Sequence, residues 1–515
     1  MGDLSKIGRT ARHEITIEAP PHWMDHHFQG RAILPAVEAM QLLAHQVLGE
    51  HMAPGVHTLR AARFDKFLPL PQENNKITAF FDVTPLEGGL LRAALATRVT
   101  AKTAKISRTV VHAQLDFKSV DEEPPACPLD LAAALEGCSF QVTPDRIYAE
   151  LVPFGAAYRN IVEPIHLTQE GALAALQAPQ LVDGQTTQPL GAPFVLDAAF
   201  HAACVWSQRY MGVVAFPVGI EQRFVLRPTR TGEPYIARIF PKATDQPLLH
   251  FDIWIMDPDG RLCEVLIGVQ MRDVSGGRLQ PPDWIRCTEL KSVNDHLFAD
   301  CAAATIMERS TIMPFAGTCL SDRERERMGA MGERRRNGYL AARLACKRLA
   351  RKLSGNDDLT SPRDISTLDE GSVRPFCPVT DGSGRYECSV SHYSRFVVAV
   401  AASSPLGVDV ERLSARILKA PHLFMSEREQ ELLKQSKLDQ VRAAMQIWSI
   451  KEAVAKALNI SLADAWEQTE VVEIGGEESH CRLRGEVPCL AFHGQIEDHL
   501  ITVMTTLVPP ANQLK

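Results

Sequence analysis

Residues 26–48, HHFQGRAILPAVEAMQLLAHQVL, and residues 193–208, PFVLDAAFHAACVWSQ, decide how the first part of the chain is read. In the first stretch Gly30 marks a turn. Pro35 stands where a helix can begin, because the first helical turn needs no N–H from it. Ala36, Met40, Leu43 and Val47 then recur at helical spacing and line one face. The second stretch predicts another apolar helix. Strand runs follow each: ITAFFDVTP (77–85), LRAALATRVT (91–100) and RTVVHAQLDF (108–117) after the first, and PYIARIF (234–240), LLHFDIWIM (248–256) and RLCEVLIGVQMRDV (261–274) after the second. Asp257-Pro258-Asp259-Gly260 closes a hairpin between the last two. Two copies of a long helix followed by antiparallel strands predict two similar folds in tandem, each helix wrapped by a sheet.

The chain has 515 residues, enough for about three domains. It is 45% hydrophobic and 23% charged, so large buried cores are available. A net charge of −7 argues against a general nucleic-acid binder. No run of about 20 apolar residues predicts a membrane span. The N-terminal stretch has no signal-peptide apolar core, and Lys6 breaks the myristoylation pattern. The 12 cysteines form no CxxC pair, as expected of reduced thiols in a cytoplasmic protein. Two composition breaks divide the chain. SGGRLQPPDW (275–284) reads as a connector between two long blocks, and acidic, Pro-rich VDEEPPACPLD (120–130) as a connector inside the first. The expected domains are 12–120, 138–275 and 296–510.

In the first block His26, Gly30 and Pro35 fit HxxxGxxxxP. Asp197 and His201 are i,i+4 neighbours on the second helix. A carboxyl on an otherwise apolar helix is costly unless partnered or used. His22 and His26 also stand at i,i+4, which leaves a metal reading open, although no third ligand is evident. On these motifs, residues 12–275 resemble the dehydratase domains of polyketide and polyunsaturated-fatty-acid synthases. The resemblance implies a double hot-dog fold with His26 as base and Asp197 as acid, while Gly30 and Pro35 shape the turn and His201 or a water orients Asp197. Removal of water from a 3-hydroxyacyl thioester needs a base at C2 and an acid at the 3-hydroxyl. A near-neutral histidine suits the first role, and an aspartate kept protonated by an apolar pocket suits the second. Pro153-Phe154-Gly155-Ala156-Ala157-Tyr158 stands where that family has a YGPxF-like stretch, with Tyr and Phe exchanged. Phe216-Pro217-Val218-Gly219 stands for its LPxxW-type segment.

The last block begins with RRRNGYLAARLACKRLARK (334–352), which has eight basic residues and no acidic one. Tyr339, Ala342, Cys346, Leu349 and Leu353 form its apolar stripe, and Arg343, Lys347 and Arg351 share another face. That face predicts either solvated charge or a cationic surface for a phosphorylated ligand or acidic protein. Further on, VVAVAASSPLGVDVERL reads as strand, tight turn, strand. Asp409 and Glu411, two apart, share one strand face. Glu452 and Lys456 are i,i+4 on the helix IWSIKEAVAKAL. Two carboxylates on a strand and a third on a helix make a hard oxygen site suited to Mg²⁺ and phosphate oxygens.

The order GxVRP (371–375), SVSHY (389–393), GVDVE (407–411), FMSERE (424–429), WSIKEAVAK (448–456) resembles the 4′-phosphopantetheinyl transferases of the surfactin-synthetase-activating type, over residues 296–510. The resemblance implies an α+β pseudo-dimer with coenzyme A between its halves. By it, Asp409, Glu411 and Glu452 hold Mg²⁺ on the CoA pyrophosphate, Lys456 binds that pyrophosphate, and Lys451, which precedes the metal glutamate, is a further CoA-binding residue. Ser391 and His392 meet the CoA phosphates, Arg374 meets the 3′-phosphate, and Arg343 belongs to the upstream basic helix. Glu429 matches an acidic family position, and Ser426-x-x-Glu429 is equally a capping box. Glu452 or a water takes the proton of the carrier serine.

The whole reads as a bifunctional enzyme that primes an acyl carrier protein and dehydrates the 3-hydroxyacyl chain it bears. An alternative keeps the transferase and makes the double hot-dog a non-catalytic docking module or a product-template-like cyclase. A homodimer is left open.

Overall fold

The computed structural model describes residues 8–49, 55–71, 75–100, 107–118, 122–125, 140–180, 188–242, 248–286, 295–309, 319–355, 360–368, 374–379, 384–484 and 487–506. Most of the 120–130 stretch and Gly371, Ser372 and Val373 of GxVRP lie outside these. The described residues fall into two compact units, one before and one after the 287–294 gap. Among the described residues no helix is long and apolar enough to cross a membrane, and every described cysteine is a free thiol.

The first unit is built on one antiparallel sheet of 12 strands. Its first half contains β1 (Ala11–Glu18), the short ribbon β2 (His27–Phe28) and β3 (Arg31–Ala32), helix α1 (Ala36–Gly49), β4 (Thr58–Arg63), β5 (Lys76–Pro85), β6 (Leu90–Thr100) and β7 (Ser107–Lys118). The second half contains β8 (Phe140–Val142), β9 (Ile165–Thr168), β10 (Gly171–Gln177), helix α2 (Pro193–Tyr210), β11 (Phe216–Val225), β12 (Pro234–Pro241), β13 (Leu249–Met256) and β14 (Leu262–Arg272). The order is β1-β5-β6-β7-β4 in one half and β11-β14-β13-β12-β10 in the other, extended by β9 and β8. The two post-helix strands β4 and β11 join the halves, with Ala62 opposite Ile220 and Arg60 opposite Gln222. Each half is thus strand, helix, then a meander whose first strand turns to the joint. This is the double hot-dog arrangement.

Strand alternation sets the core. On β5, Ile77, Ala79, Phe81 and Val83 point inward at every second position. From α1, Met40, Leu43 and Val47 are buried on the same face. Each such side chain contributes about 1.5–3 kcal/mol by leaving water. Helix α2 is buried from Pro193 through Gln208, which is why its sequence is apolar almost throughout. The predicted hairpin at 257–260 forms, with the Asp257 amide on the Arg261 carbonyl at 3.0 Å. The connector reading of 275–284 is corrected. Leu279 and Trp284 pack on the first unit's core and Ile285 is fully buried, so the stretch is part of that unit.

The second unit repeats one motif twice. Its first sheet, β15 (Ala303–Glu308), β16 (Phe376–Pro378), β17 (Arg385–Tyr393) and β18 (Phe396–Ala402), has the order β15-β18-β17-β16 and carries helix α3 (Glu333–Ser354). The second sheet contains β19 (Leu406–Arg412), β20 (Thr469–Ile474), β21 (Glu478–Leu483), β22 (Val487–Ile496) and β23 (His499–Thr506), in the order β19-β23-β22-β21-β20. Helices α4 (Glu427–Gln435) and α5 (Gln440–Leu458) belong to this half. In both halves the last strand pairs back onto the first. The predicted strand, turn, strand at 397–413 is present, but β18 and β19 lie in different sheets, so the turn carries the chain from one half to the other.

The cationic face of α3 corrects the sequence reading. Arg343, Lys347 and Arg351 are buried and point into the unit. Arg343 donates to the Thr367 hydroxyl at 2.7 Å and the Thr367 carbonyl at 3.2 Å. Lys347 donates to Glu324, Cys319 O and Pro362 O, and Arg351 to Thr360 O. These cations satisfy backbone carbonyls that loop packing would otherwise leave unpaired.

Candidate active sites

In the first unit His26 ends a short turn of helix and precedes the β2–β3 ribbon, whose turn places Gly30 at a φ of +75°. The His26 carbonyl accepts from Ile33 N–H at 3.0 Å, which fixes the loop ahead of α1. Pro35 follows, and its carbonyl accepts the Ala39 amide at 3.0 Å, in the first turn of that helix. From the other half, Asp197 and His201 project from α2. His26 Nε2 lies 4.0 Å from Asp197 Oδ1, and His201 Nε2 lies 2.9 Å from Asp197 Oδ2. The structure thus brings His26, Asp197 and His201 together in one cavity of about 390 Å³, with Phe28, Phe200 and Phe216 among its walls. Gly30 and Ala36 reach the same wall, so the positive end of the α1 dipole lies there. His22, by contrast, turns to Glu38 of α1 at 3.4 Å.

The segment 153–158 holds the histidine. Phe154 stacks on the His26 ring at 4.4 Å and Tyr158 meets it edge-on at 5.2 Å. Gly155 donates to the Asp25 carbonyl at 2.8 Å, and Ala157 N–H donates to Asp25 Oδ2 at 2.8 Å. A Cβ at position 155 would be driven into the Asp25 carboxyl, so this close approach requires glycine. Sequence reasoning missed Asp25. It stood in the polar run WMDHH, where only its adjacency to His26 signalled it.

The charges differ from expectation in one respect. Burial pushes His26 down to about 4, and the nearby His201 adds to this against the pull of Asp197. A neutral base is therefore at hand. Burial alone would raise Asp197, but His201 and His26 outweigh it and hold the carboxyl below its usual range. That direction is opposite to the raised carboxyl expected of a standing acid. Among the described residues His26 Nδ1, Asp197 Oδ2, both His201 ring nitrogens and the Tyr158 hydroxyl are buried without a hydrogen-bond partner, the close His201–Asp197 approach being poorly aligned. Such orphans cost about 1–3 kcal/mol each and persist where a ligand supplies the partner.

In the second unit Gly407 lets β19 touch α5, because a Cβ there would strike the Ala453 carbonyl. That approach sets Asp409 against Lys456. Lys456 Nζ donates to Asp409 Oδ1 at 2.7 Å and to Ser391 Oγ at 2.8 Å, and Ser391 donates to Asp409 at 3.0 Å. Ser449, which sequence reasoning passed over inside WSIKE, donates to the other carboxylate oxygen at 2.9 Å. Glu411 is raised to about 8 by burial and then by the charges of Asp409 and Glu452. Burial and Asp409 raise Glu452 as well. The three carboxylates feel one another's charge, yet among the described residues no three His, Cys, Asp or Glu side chains stand so as to hold a metal ion by themselves. A divalent cation there would therefore keep waters or phosphate oxygens in its shell.

The remaining positions separate. His392 stands beside Ser391 on β17, its ring against Gly338 of α3. Arg374 pairs with Glu387 at 3.1 Å and donates to Ala457 O at 3.2 Å. Lys451 is a correction. Its ammonium is buried and donates to Glu429 at 2.8 Å and to Phe424 O at 2.6 Å, so it has no face for a phosphate. Glu429 closes the capping box of α4 and accepts from Val471 N–H at 2.9 Å. Arg343 likewise serves Thr367 rather than an open surface.

Residues 126–281 match the family described as polyketide synthase dehydratase N-terminal domain, and residues 405–504 match the 4′-phosphopantetheinyl transferase superfamily. The chain is 27% identical over 246 residues to a polyunsaturated fatty acid synthase polypeptide of Thraustochytrium sp., covering 45% of this chain and 8% of that one. It is 33% identical over 93 residues to the 4′-phosphopantetheinyl transferase gsp of Aneurinibacillus migulanus, covering 16% of this chain and 39% of the relative. With the holo-[acyl-carrier-protein] synthase of Shouchella clausii it shares 32% over 87 residues, 16% of this chain and 74% of that enzyme. The chain thus spans well under half the length of the first two relatives. Among solved structures, the dehydratase domain of a mycocerosic acid synthase-like polyketide synthase aligns with 52% of this chain and 92% of its own at 19% identity and a TM-score of 0.42. The dehydratase domain of the CurF module of curacin polyketide synthase aligns with 52% and 96% at 18% identity and a TM-score of 0.42.

Proposed function

Since the chain belongs to the 4′-phosphopantetheinyl transferase superfamily through its last block and carries a polyketide-synthase-type dehydratase domain in its first, we propose a bifunctional, cytoplasmic enzyme that primes an acyl carrier protein and dehydrates the 3-hydroxyacyl group on it. The observation that carries the dehydratase half is the cavity in which His26, Asp197 and His201 meet with buried polar atoms that have no partner among the described residues. Neutral His26 takes the C2 proton, and the positive end of α1 favours the negative charge that develops on the thioester oxygen. The C2 proton now sits on an imidazole 4.0 Å from Asp197 Oδ1. From there it passes to the 3-hydroxyl, and the C3–O bond breaks with loss of water. One proton serves both steps, in keeping with a neutral histidine in the free pocket.

In the transferase half, Asp409, Glu411 and Glu452 are the groups that would hold Mg²⁺. When bound, such an ion neutralises pyrophosphate charge. Coenzyme A is the donor substrate. Lys456, held by Asp409 and Ser391, positions its pyrophosphate, with His392 and Arg374 at the other phosphates. The carrier serine oxygen attacks the phosphorus that bears pantetheine, adenosine 3′,5′-bisphosphate leaves, and Glu452 or a water receives the hydroxyl proton. Positioning and charge neutralisation carry this kind of step.

The test runs both halves on the full chain. With apo carrier, CoA and Mg²⁺, a phosphopantetheine mass gain is expected from wild type and from His26→Ala, but not from Asp409→Ala. With a 3-hydroxyacyl-pantetheine thioester, an enoyl product is expected from wild type and Asp409→Ala, but not from His26→Ala. If wild type and His26→Ala are equally silent over several chain lengths, the dehydratase half of the proposal is wrong.

A further inference from the structure

The stretch 275–286 does not hang between domains. It is tied down over the first unit as a strap. Asp273 caps its start through Ser275 N–H at 2.6 Å, and Ser275 Oγ accepts from Leu279 N–H at 3.0 Å. At the other end Trp284 Nε1 donates to Glu150 at 2.6 Å, and the Arg146 guanidinium lies 3.4 Å from the centre of the indole. Arg209 of α2 donates to the Ile285 carbonyl at 3.1 Å. Leu279 and Gln280, in the middle, form part of the wall of the cavity that holds His26 and Asp197.

The direction of that cavity follows from its wall. Asp197, Phe200, His201, Cys204 and Gln208 all line it, and their spacing is one stripe of α2. From Asp197 to Gln208 the stripe runs about 16 Å. Trp284 and Ile285, at the far end of the strap, lie at the Gln208 end. Gln208 donates to Leu151 O at 3.1 Å, next to the Glu150 that holds Trp284, and Arg209 holds Ile285. In the dehydratase reading, on which this inference rests, the thioester carbonyl lies toward Gly30 and α1 and the 3-hydroxyl lies at Asp197. The chain beyond C3 then points away from α1, along the stripe, toward Leu279.

We infer that Leu279 sets the length of acyl chain the first unit accepts, by standing where the ω-end of the chain arrives. Removing the isobutyl group opens room for added methylenes, and filling the position with a larger ring takes room away.

The experiment titrates the full chain with 3-hydroxyacyl-pantetheine amides of graded chain length by calorimetry, so that binding is read without turnover. Leu279→Ala is expected to move the preferred length upward, each newly accommodated methylene tightening binding about fourfold. Leu279→Trp is expected to move it downward. Unchanged hydrogen-exchange protection of the 275–286 amides in the alanine variant marks an intact strap. Opposite shifts by the two variants support the inference, since general loosening of the fold would weaken all lengths alike. A wild-type length optimum that both variants share overturns the role of Leu279 alone. Failure of wild type to bind any member of the series overturns the dehydratase reading and this inference with it.

Discussion

Asp25 and Gly155 come from opposite hot-dog halves and meet backbone to backbone, the Gly155 amide on the Asp25 carbonyl at 2.8 Å. Asp25 is the chain neighbour of His26, and Gly155 the neighbour of the Phe154 ring that covers it. The contact therefore couples the orientation of the base to the second half. Gly155→Ala forces a methyl group into the Asp25 carboxyl. Overpacking of this kind costs about 1–3 kcal/mol. The expected outcome is a lower melting temperature for the first unit and at least a tenfold drop in enoyl formation, with carrier priming unchanged. Thermal scans and the two product assays check it.

The depressed His26 has a consequence for pH. Its ordinary value is 6.5 and its buried value about 4. Neutral imidazole is the working base, so kcat/KM for dehydration should hold as pH falls through 6.5 and decline with a midpoint near 4. Stability follows the same sign. Below pH 6.5 the unfolded chain binds this proton and the folded chain does not, so the contribution is full above 6.5 and lost as pH falls toward 4. For this shift it amounts to about 3 kcal/mol. Urea midpoints of wild type should fall more steeply across that window than those of His26→Gln. An acid limb centred at 6.5 would contradict the burial of the ring.

Asp409 anchors a small network of Lys456, Ser391 and Ser449. Asp409→Asn keeps the shape and removes the charge that Lys456 faces. The expected result is at least a hundredfold loss of carrier priming, in the range seen when a charge-stabilising group is removed. Dehydration should be untouched, and intact-mass measurement on an apo carrier reads the first effect. Retention of full priming would detach Asp409 from the reaction.

The elements were legible where periodicity was strong. Helices α1 and α2, the strand runs after them and the 257–260 hairpin all follow from spacing and turn residues alone. The convergence of His26 with Asp197 was legible only as motif, because residues 171 positions apart meet through a strand pairing, β4 on β11, that no local pattern encodes. Charge was the weakest guide. The basic face of α3 read as solvated charge or a cationic binding surface because eight cations without an acid suggest a surface, yet three of them reach inward to backbone carbonyls supplied by distant loops. The strap misled for a related reason. Its glycines and prolines allow a linker, while Leu279, Trp284 and Ile285, which pin it, are three residues with no period to announce them.

Lys451 offers the sharpest separation between a binding role and a structural one. Its ammonium and the Glu429 carboxylate are both buried and 2.8 Å apart, and Glu429 also holds the start of α4 and the Val471 amide. A lysine that contacts CoA would, on removal, raise KM for CoA and leave the melting temperature alone. A lysine that neutralises a buried carboxylate would, on removal, leave that charge unpaired, at a cost of about 3–5 kcal/mol. Lys451→Met should therefore unfold the second unit at markedly lower temperature. Adding Glu429→Gln to it should recover part of the loss, because the double variant no longer buries a lone charge. Recovery of stability in the double variant, with KM for CoA near the wild-type value in the folded fraction, identifies the pair as a strut beneath the Asp409 site. A normal melting temperature with a raised KM in Lys451→Met would return the residue to the coenzyme.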